Sequence, residues 1–131
     1  MKQAQRAKHE GTAMDDSRPI FIQLAERIEN DIISGALPEE TQVPSTNEFA
    51  AFHRINPATA GKGVNVLVDA GVLYKKRGIG MFVATGARTR IMNARREQFH
   101  TDFIEPLLAE AAKLGIDRAQ LITMIRKEKA T

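Results

Sequence analysis

Cysteine is absent from this chain of 131 residues. The protein therefore has no disulfide bond, no thiolate metal ligand and no cysteine nucleophile. Long apolar runs are missing as well, and the N-terminus lacks the apolar core of a signal peptide. Because neither a membrane span nor a secretion signal is predicted, we expect a cytoplasmic protein that does not enter a membrane.

Histidine is scarce, and its three copies are far apart in the sequence, at His9, His53 and His100. Their spacing does not suit a metal site, and no nucleophile is paired with a base. We expect His53 at a helix end and His100 on a helix surface. The sequence thus predicts neither an enzyme nor a bound cofactor.

Positive charge is unevenly placed, although the net charge is only +3. Residues 18–53 carry two basic and six acidic side chains, a balance of −4, whereas residues 54–84 carry five basic and one acidic, a balance of +4. Four more arginines precede the next acidic residue: Arg88, Arg90, Arg95 and Arg96. A basic stripe of this kind is typical of a surface that binds a polyanion, but an ordinary solvated surface can have the same charge.

A first helix is predicted from Pro19 to Ser34. Apolar residues recur every four positions between Ile20 and Ile32, and Gly35 can end the helix. Its solvent face is expected to consist of four polar side chains: Gln23, Glu26, Arg27 and Asn30.

Two further helices follow a proline-containing loop. The sequence Ser-Thr-Asn-Glu at 45–48 matches a capping box and predicts a short helix ending near His53, with Phe49, Ala50 and Phe52 on its apolar side. Asn56-Pro57 can start the next helix, whose apolar residues recur at spacings of three and four until Gly71. Its other face is small and polar near the start and carries Ala58, Thr59, Lys62 and Asn65. The pair fits a helix-turn-helix, although an amphipathic helix with a solvated face has the same pattern.

The residues after this helix predict a small β-hairpin. Residues 72–76 and 81–83 are β-prone, and the turn between them contains Gly78 and Gly80. A hairpin that directly follows a helix-turn-helix indicates a wing, here carrying Lys75, Lys76 and Arg77. The glycines allow a close approach to DNA, and the cations can pair with phosphates.

The remaining residues are predicted to form two helices. The first, within 87–114, has an apolar stripe that includes Phe99, Phe103 and Leu107, and Pro106 should bend or divide it. The second spans 118–129, and we expect Gly115 to end the first helix and Asp117 to cap the start of the second. Because two such helices cannot bury their apolar stripes against each other alone, we expect a homodimer through residues 87–129.

The predicted fold is therefore mainly α with a small β-hairpin: a winged helix-turn-helix over residues 18–84 and a short helical dimerisation domain over residues 85–131. Residues 1–17 are polar and lack a hydrophobic period, so we expect a disordered extension. Met1 and Met14 are both possible natural starts.

Residues 19–83 resemble the winged helix-turn-helix of the GntR family of bacterial transcription regulators. Four motifs carry the resemblance, in family order and spacing: PIFIQLAERIENDIISGAL, VPSTNEFA, INPATAGKGVNVLVDAGVL and KKRGIGMFV. The short two-helix tail is similar to that of the YtrA-like subfamily, in which the tail serves dimerisation, and so is the NPxT start of the third helix. The resemblance implies a homodimer that binds a near-palindromic DNA operator and represses transcription.

Carried over by position, the resemblance implies DNA contacts at two helix starts and in the wing: Ser45, Asn56, Ala58, Thr59, Lys62, Arg77, Gly78 and Gly80. We add Asn47, where many relatives have an arginine, and expect phosphate contacts from Lys75 and Lys76, with Arg88 or Arg90 as further candidates. Relatives also have arginines where this chain has Pro57 and Gly61, so fewer bidentate contacts to guanine are expected here. Specificity should then depend on the wing, on Lys62 and on DNA shape.

A second hypothesis makes the same fold an adaptor without DNA specificity, whose basic wing meets an acidic protein. The short tail offers little volume for a small-molecule effector, and the sequence does not identify one.

Overall fold

The computed structural model describes residues 17–130, which form two compact units divided between Met92 and Asn93. The predicted disordered extension and the choice between Met1 and Met14 concern residues outside this range, apart from Ser17. The chain is mostly helical with one antiparallel two-stranded hairpin, as predicted.

The first unit has three helices followed by the hairpin and the start of a fourth helix. The elements are α1 Ile20–Ser34, α2 Thr46–His53, α3 Pro57–Asp69, β1 Leu73–Lys76, β2 Gly80–Val83 and α4 Ala87–Phe99. The α1 ridge at Leu24, Ile28 and Ile32 is buried, together with apolar residues of α3 and both strands. Ala87 and Ile91 at the start of α4 belong to the same core.

Two side chains were assigned to the wrong environment from the sequence. Gln23, expected on the solvent face of α1, is buried, and its Nε2 donates to the Arg18 carbonyl at 2.9 Å, which satisfies the buried amide. Phe52, expected on the apolar side of α2, is 65% exposed. His53 is buried instead, beside the rings of Phe49 and Phe52.

The loop before α2 runs along β2 and widens the hairpin. The Glu40 N–H donates to the Val83 carbonyl at 2.7 Å, and the Val83 N–H donates to the Thr41 carbonyl at 3.1 Å. The Val43 N–H donates to the Met81 carbonyl at 2.9 Å. Because backbone bonds join this loop to β2, the hairpin is tied to the segment that leads into the helix-turn-helix.

The second unit contains the last turns of α4, a π-helical segment at His100–Ile104, α5 Glu105–Lys113 and α6 Arg118–Lys127. Pro106 lies in the first turn of α5. A proline ring clashes with the carbonyl four residues earlier in a regular helix, and the wider π turn relieves that clash. The predicted interruption of the helix at Pro106 is confirmed.

Both ends of the connection from α5 to α6 are capped as the sequence predicts. Gly115 adopts φ 70°, and the Ile116 N–H donates back to the Ala111 carbonyl at 2.9 Å. Asp117 and Gln120 form a capping box at the start of α6. Across residues 17–130, the structure contains no helix with the length and apolar character needed to cross a membrane.

Gly63 marks the closest approach of α3 to α1, and replacing it with alanine should destabilise the fold. A Cβ there would lie 2.7 Å from the Phe21 carbonyl oxygen, so the two helices must separate. We expect Gly63→Ala to lower the free energy of unfolding by about 1–3 kcal/mol in urea titrations. Gly61→Ala is the control, because its Cβ would meet only Thr46 Cγ2 at 3.6 Å. Equal stability of the two variants would contradict this account of the packing.

His53 should make stability depend on pH. Burial lowers the pKa of its imidazole, the nearby Arg27 lowers it further, and Asp31 opposes them. In the described residues its Nδ1 has no hydrogen-bond partner. Below about pH 6.5 the His53 imidazole therefore binds a proton more readily in the unfolded chain than in the folded protein. The free energy of unfolding consequently falls as the pH falls.

The measurement is the free energy of unfolding from about pH 7.5 to about pH 5.5, above the range in which carboxylates titrate. Wild type should lose more stability across this range than His53→Leu, which places an apolar side chain that does not titrate at the buried position. Parallel curves for the two proteins would show that His53 does not supply the pH dependence.

Candidate nucleic-acid interface

The start of α3 is fixed by a side-chain cap. Asn56 Oδ1 accepts from the Ala58 N–H at 2.7 Å, and Pro57 occupies the first turn. The amide nitrogen of Asn56 keeps its two donor hydrogens. Asn56 and Ala58 are exposed and Thr59 is half-buried, so this turn presents small side chains and polar groups to solvent.

The start of α2 is fixed in the same way. Ser45 Oγ accepts from the Glu48 N–H at 3.1 Å, and Glu48 Oε1 accepts from the Ser45 N–H at 2.7 Å, which completes the predicted capping box. Asn47 is exposed in the first turn. The Ser45 hydroxyl keeps its own proton for donation to an external acceptor.

Lys62 extends the exposed surface of α3 and contacts α1. Its Nζ lies 4.8 Å from the centroid of the Phe21 ring. A cation–π contact at a surface contributes about 0.5–1 kcal/mol, which is small enough for a phosphate to displace it. The sequence assigned Phe21 to the core, and this role as a support for Lys62 was not predicted.

The cations of the hairpin lie on different sides of it. Lys75 follows Leu73 on the face that turns into the core, whereas Lys76 shares the other face with Tyr74 and Phe82. Lys76 Nζ is 4.3 Å from the Phe82 ring centroid and 5.9 Å from that of Tyr74. Arg77 is exposed in the turn. The hairpin therefore presents cations in more than one direction.

Glycine suits the two positions 78 and 80 of the hairpin turn for different structural reasons. Gly78 has φ 76° and open space where a Cβ would stand. Gly80 has φ 147°, and its Cβ would lie 2.3 Å from Gln42 Nε2. Glycine at position 80 is thus favoured by this φ, and a Cβ there would also displace the Gln42 side chain from the turn.

Two acidic residues that sequence reasoning did not single out hold the hairpin and α4. Glu40 accepts hydrogen bonds from the Tyr74 hydroxyl at 2.5 Å and from the Thr85 hydroxyl. These bonds, with Thr85 the stronger influence, lower the pKa of Glu40, and the bond to Glu40 raises the pKa of Tyr74.

Glu39 caps α4. Its carboxylate accepts from the Gly86 N–H at 2.9 Å and the Arg88 N–H at 3.3 Å. Glu39 and Glu40 are adjacent in the loop before α2, so a single loop contacts both the hairpin and the start of α4. The only sequence signal for these contacts was the pair of adjacent glutamates in the loop, and that signal does not identify the residues that they bind.

Two arginines expected to contact phosphate bind the protein's own backbone. Arg88 Nε donates to the Ile33 carbonyl at 2.9 Å. Arg90 Nη1 donates to the Gly71 carbonyl at 3.0 Å, at the connection between α3 and β1. These guanidinium groups therefore join α4 to α1 and to the end of α3, and we do not count them among the DNA contacts.

The histidines and acidic residues of the described range do not cluster as metal ligands. Across residues 17–130, no group of three or more His, Asp or Glu side chains is arranged to hold a metal ion. His53 ends α2 as predicted but is buried, and exposed His100 lies 3.3 Å from Glu105 through its Nδ1.

Comparison with known proteins identifies the family. A crystal structure of a GntR-family transcriptional regulator from Bacteroides thetaiotaomicron is 35% identical and superposes with a TM-score of 0.67, over 82% of this chain and 94% of that one. The chain belongs to the GntR family of transcriptional regulators. No protein-family model matches it.

Other similar proteins differ in how much of their length this chain covers. The helix-turn-helix regulator YhcF of Bacillus subtilis is 24% identical over 84% of this chain and 89% of its own length. The repressor NagR of the same species is 33% identical, but over 50% of this chain and only 27% of its own length. The chain thus spans about a quarter of that longer relative.

A DNA complex is among the similar structures. The AraR DNA-binding domain, crystallised with operator ORX1, is 27% identical, with a TM-score of 0.53 over 58% of this chain and 99% of that one. The named relatives are transcriptional regulators and not enzymes.

Proposed function

We propose that this GntR-family protein is a bacterial cytoplasmic transcriptional repressor of the YtrA-like subfamily, which binds a near-palindromic operator as a homodimer. The observation that carries the proposal is that one compact unit exposes two capped helix starts and a cationic hairpin. The likeness to an operator-bound AraR domain supports DNA as the partner of that unit.

The proposed contacts divide into three groups. The start of α3 enters the major groove, where Asn56, Ala58, Thr59 and Lys62 meet base edges and phosphates. The first turn of α2, with Ser45 and Asn47, contacts the adjoining backbone. The wing supplies the rest through Lys75, Lys76, Arg77, Gly78 and Gly80.

Much of the affinity in this proposal is electrostatic. Lysines and arginines that neutralise phosphates release counterions, so binding should weaken steeply as salt is raised. Lys62 and Lys76 lie over aromatic rings before binding, which limits the side-chain freedom lost on contact with DNA.

The second unit supports the dimer. Its buried apolar side chains are Ala111 and Leu121, whereas large apolar side chains elsewhere in it are exposed. The exposed set is Phe99, Phe103, Leu107, Leu114, Ile122, Met124 and Ile125. An apolar surface of this extent on residues 93–130 fits burial against a second copy of the chain.

Repression is the simplest outcome of such binding, because a dimer bound over a promoter blocks it. The relative NagR is named a repressor. We place the chain in the YtrA-like subfamily because of its NPxT start of α3 and its short tail, and we propose no cofactor. The alternative is an adaptor whose wing meets an acidic protein.

Selection of bound fragments from random double-stranded DNA tests the proposal with the full chain. We expect enrichment of one sequence with two related half-sites. Binding without preference for any sequence at low salt would favour the adaptor.

Loss of the proposed base and phosphate contacts should weaken operator binding. Where the side chain reaches a base edge, we expect Lys62→Ala or Arg77→Ala to raise the operator Kd by the equivalent of ~1–3 kcal/mol. Where the side chain meets a phosphate, the salt slope, which is the slope of log Kd against the logarithm of the salt concentration, should fall by about one. Fluorescence anisotropy at several salt concentrations measures both.

Arg27→Gln is the matched control, because it removes one positive charge from α1, a helix to which no DNA contact is assigned. It should leave the salt slope unchanged. If Lys62→Ala and Arg77→Ala bind as wild type does, neither residue belongs to the interface.

A charge within the exposed apolar stripe should abolish dimers. Phe103 is 64% exposed, and its ring is tilted against that of Phe99, with ring centroids 5.5 Å apart. We expect Phe103→Asp to be monomeric in sedimentation equilibrium at concentrations at which wild type is dimeric, because a carboxylate cannot be buried without a partner. Its operator binding should fall with it.

Thr101→Asp introduces the same charge at an exposed polar position of the same π-helical segment. It should remain dimeric. A monomeric wild type, or a dimeric Phe103→Asp, would remove this surface from the proposal.

A further inference from the structure

The tip of the wing carries an apolar side chain that packing does not require. Ile79 is 63% exposed and stands between Gly78 and Gly80, two residues after the last of three consecutive cations. Cations at this place have an obvious partner in phosphate, but an exposed isoleucine has none. Its surface therefore points to a contact that forms only on binding.

The backbone of Ile79 is already satisfied by the protein. Its N–H donates to the Lys76 carbonyl at 2.9 Å, and its carbonyl accepts from Gln42 Nε2 at 3.0 Å. Ile79 thus has little to offer DNA except apolar surface.

The position of Ile79 is also fixed. Gln42 comes from the loop before α2 and pairs with Phe82 across the hairpin. Its side chain then reaches the turn and lies where a Cβ of residue 80 would stand. Because the tip is held from outside the hairpin, Ile79 is presented in one arrangement before DNA arrives, and little ordering is needed on binding.

We propose that Ile79 is a specificity-determining residue that enters the minor groove beside the α3 site and excludes guanine from the base pairs it covers. The inference rests on the proposed DNA-binding function. In the minor groove an A·T pair shows only acceptors, whereas G·C adds the N2 amino donor of guanine. An apolar side chain over that amino group removes its water and provides no acceptor, which is costly.

The neighbouring cations favour the same base pairs. A·T-rich segments have a narrow minor groove with enhanced negative potential, which attracts inserted or flanking basic side chains. Lys75, Lys76 and Arg77 stand within four residues of Ile79. Attraction by these cations and exclusion by Ile79 therefore select the same sequences.

The experiment compares three full-length proteins: wild type, Ile79→Ser and Ile79→Val. Each is used to select DNA from the same random pool, and positions where Ile79→Ser alters the base frequencies are taken as covered by the tip. At those positions A·T is replaced by G·C or by inosine·cytosine, which has the major-groove face of G·C but lacks the minor-groove amino group. The Kd for each duplex is measured at fixed salt.

For wild type and Ile79→Val we expect G·C to weaken binding about 5- to 30-fold. Inosine·cytosine should bind within about twofold of A·T, because its minor groove is the same. Ile79→Ser should lose most of the G·C penalty, since the serine hydroxyl accepts a hydrogen bond from the guanine amino group.

Three results overturn the inference, and they are distinguishable. If wild type selects no sequence, the proposed function itself fails. If wild type selects an operator but Ile79→Ser selects the same bases at every position, Ile79 alone is excluded. If inosine·cytosine binds as poorly as G·C, the positions are read in the major groove and not by the tip.

Discussion

The loop between α1 and α2 is the constraint on which the proposed interface depends. Its backbone pairs with β2, its Glu40 binds Tyr74 and Thr85, and its Glu39 caps α4. Gln42 from the same loop holds the tip of the hairpin. An isolated two-stranded hairpin is marginally stable in water. Without these bonds the wing would have no fixed position relative to the helix starts.

Local signals in the sequence predicted the elements well. Capping residues such as Ser45, Asn56 and Asp117 act within four residues, so the sequence shows both partners at once. The same holds for Pro106, whose effect on its own helix follows from its missing N–H and its ring. Periodicity placed the α1 ridge correctly because a helix face repeats every three or four residues.

Long-range partners could not be predicted in this way. Glu40 and Tyr74 are 34 residues apart, and Glu39 and Gly86 are 47 apart. Nothing in a single sequence names such pairs. The wrong expectation for Phe52 has a similar cause. Its hydrophobicity favoured burial, but the angle of each position around the short helix α2 decides which side chain is buried, and there it is His53. Arg88 and Arg90 were assigned to DNA from their charge, yet their guanidinium groups bind backbone carbonyls.

The central claim is that two copies of the chain present α3 and the wing to one duplex. Hydroxyl-radical footprinting of the full-length protein on its selected DNA tests this most directly. We predict two symmetric sets of protected sugars, centred about one helical turn or a multiple of it apart. Protection of a single unpaired segment, or uniform weak protection along the fragment, would contradict the account.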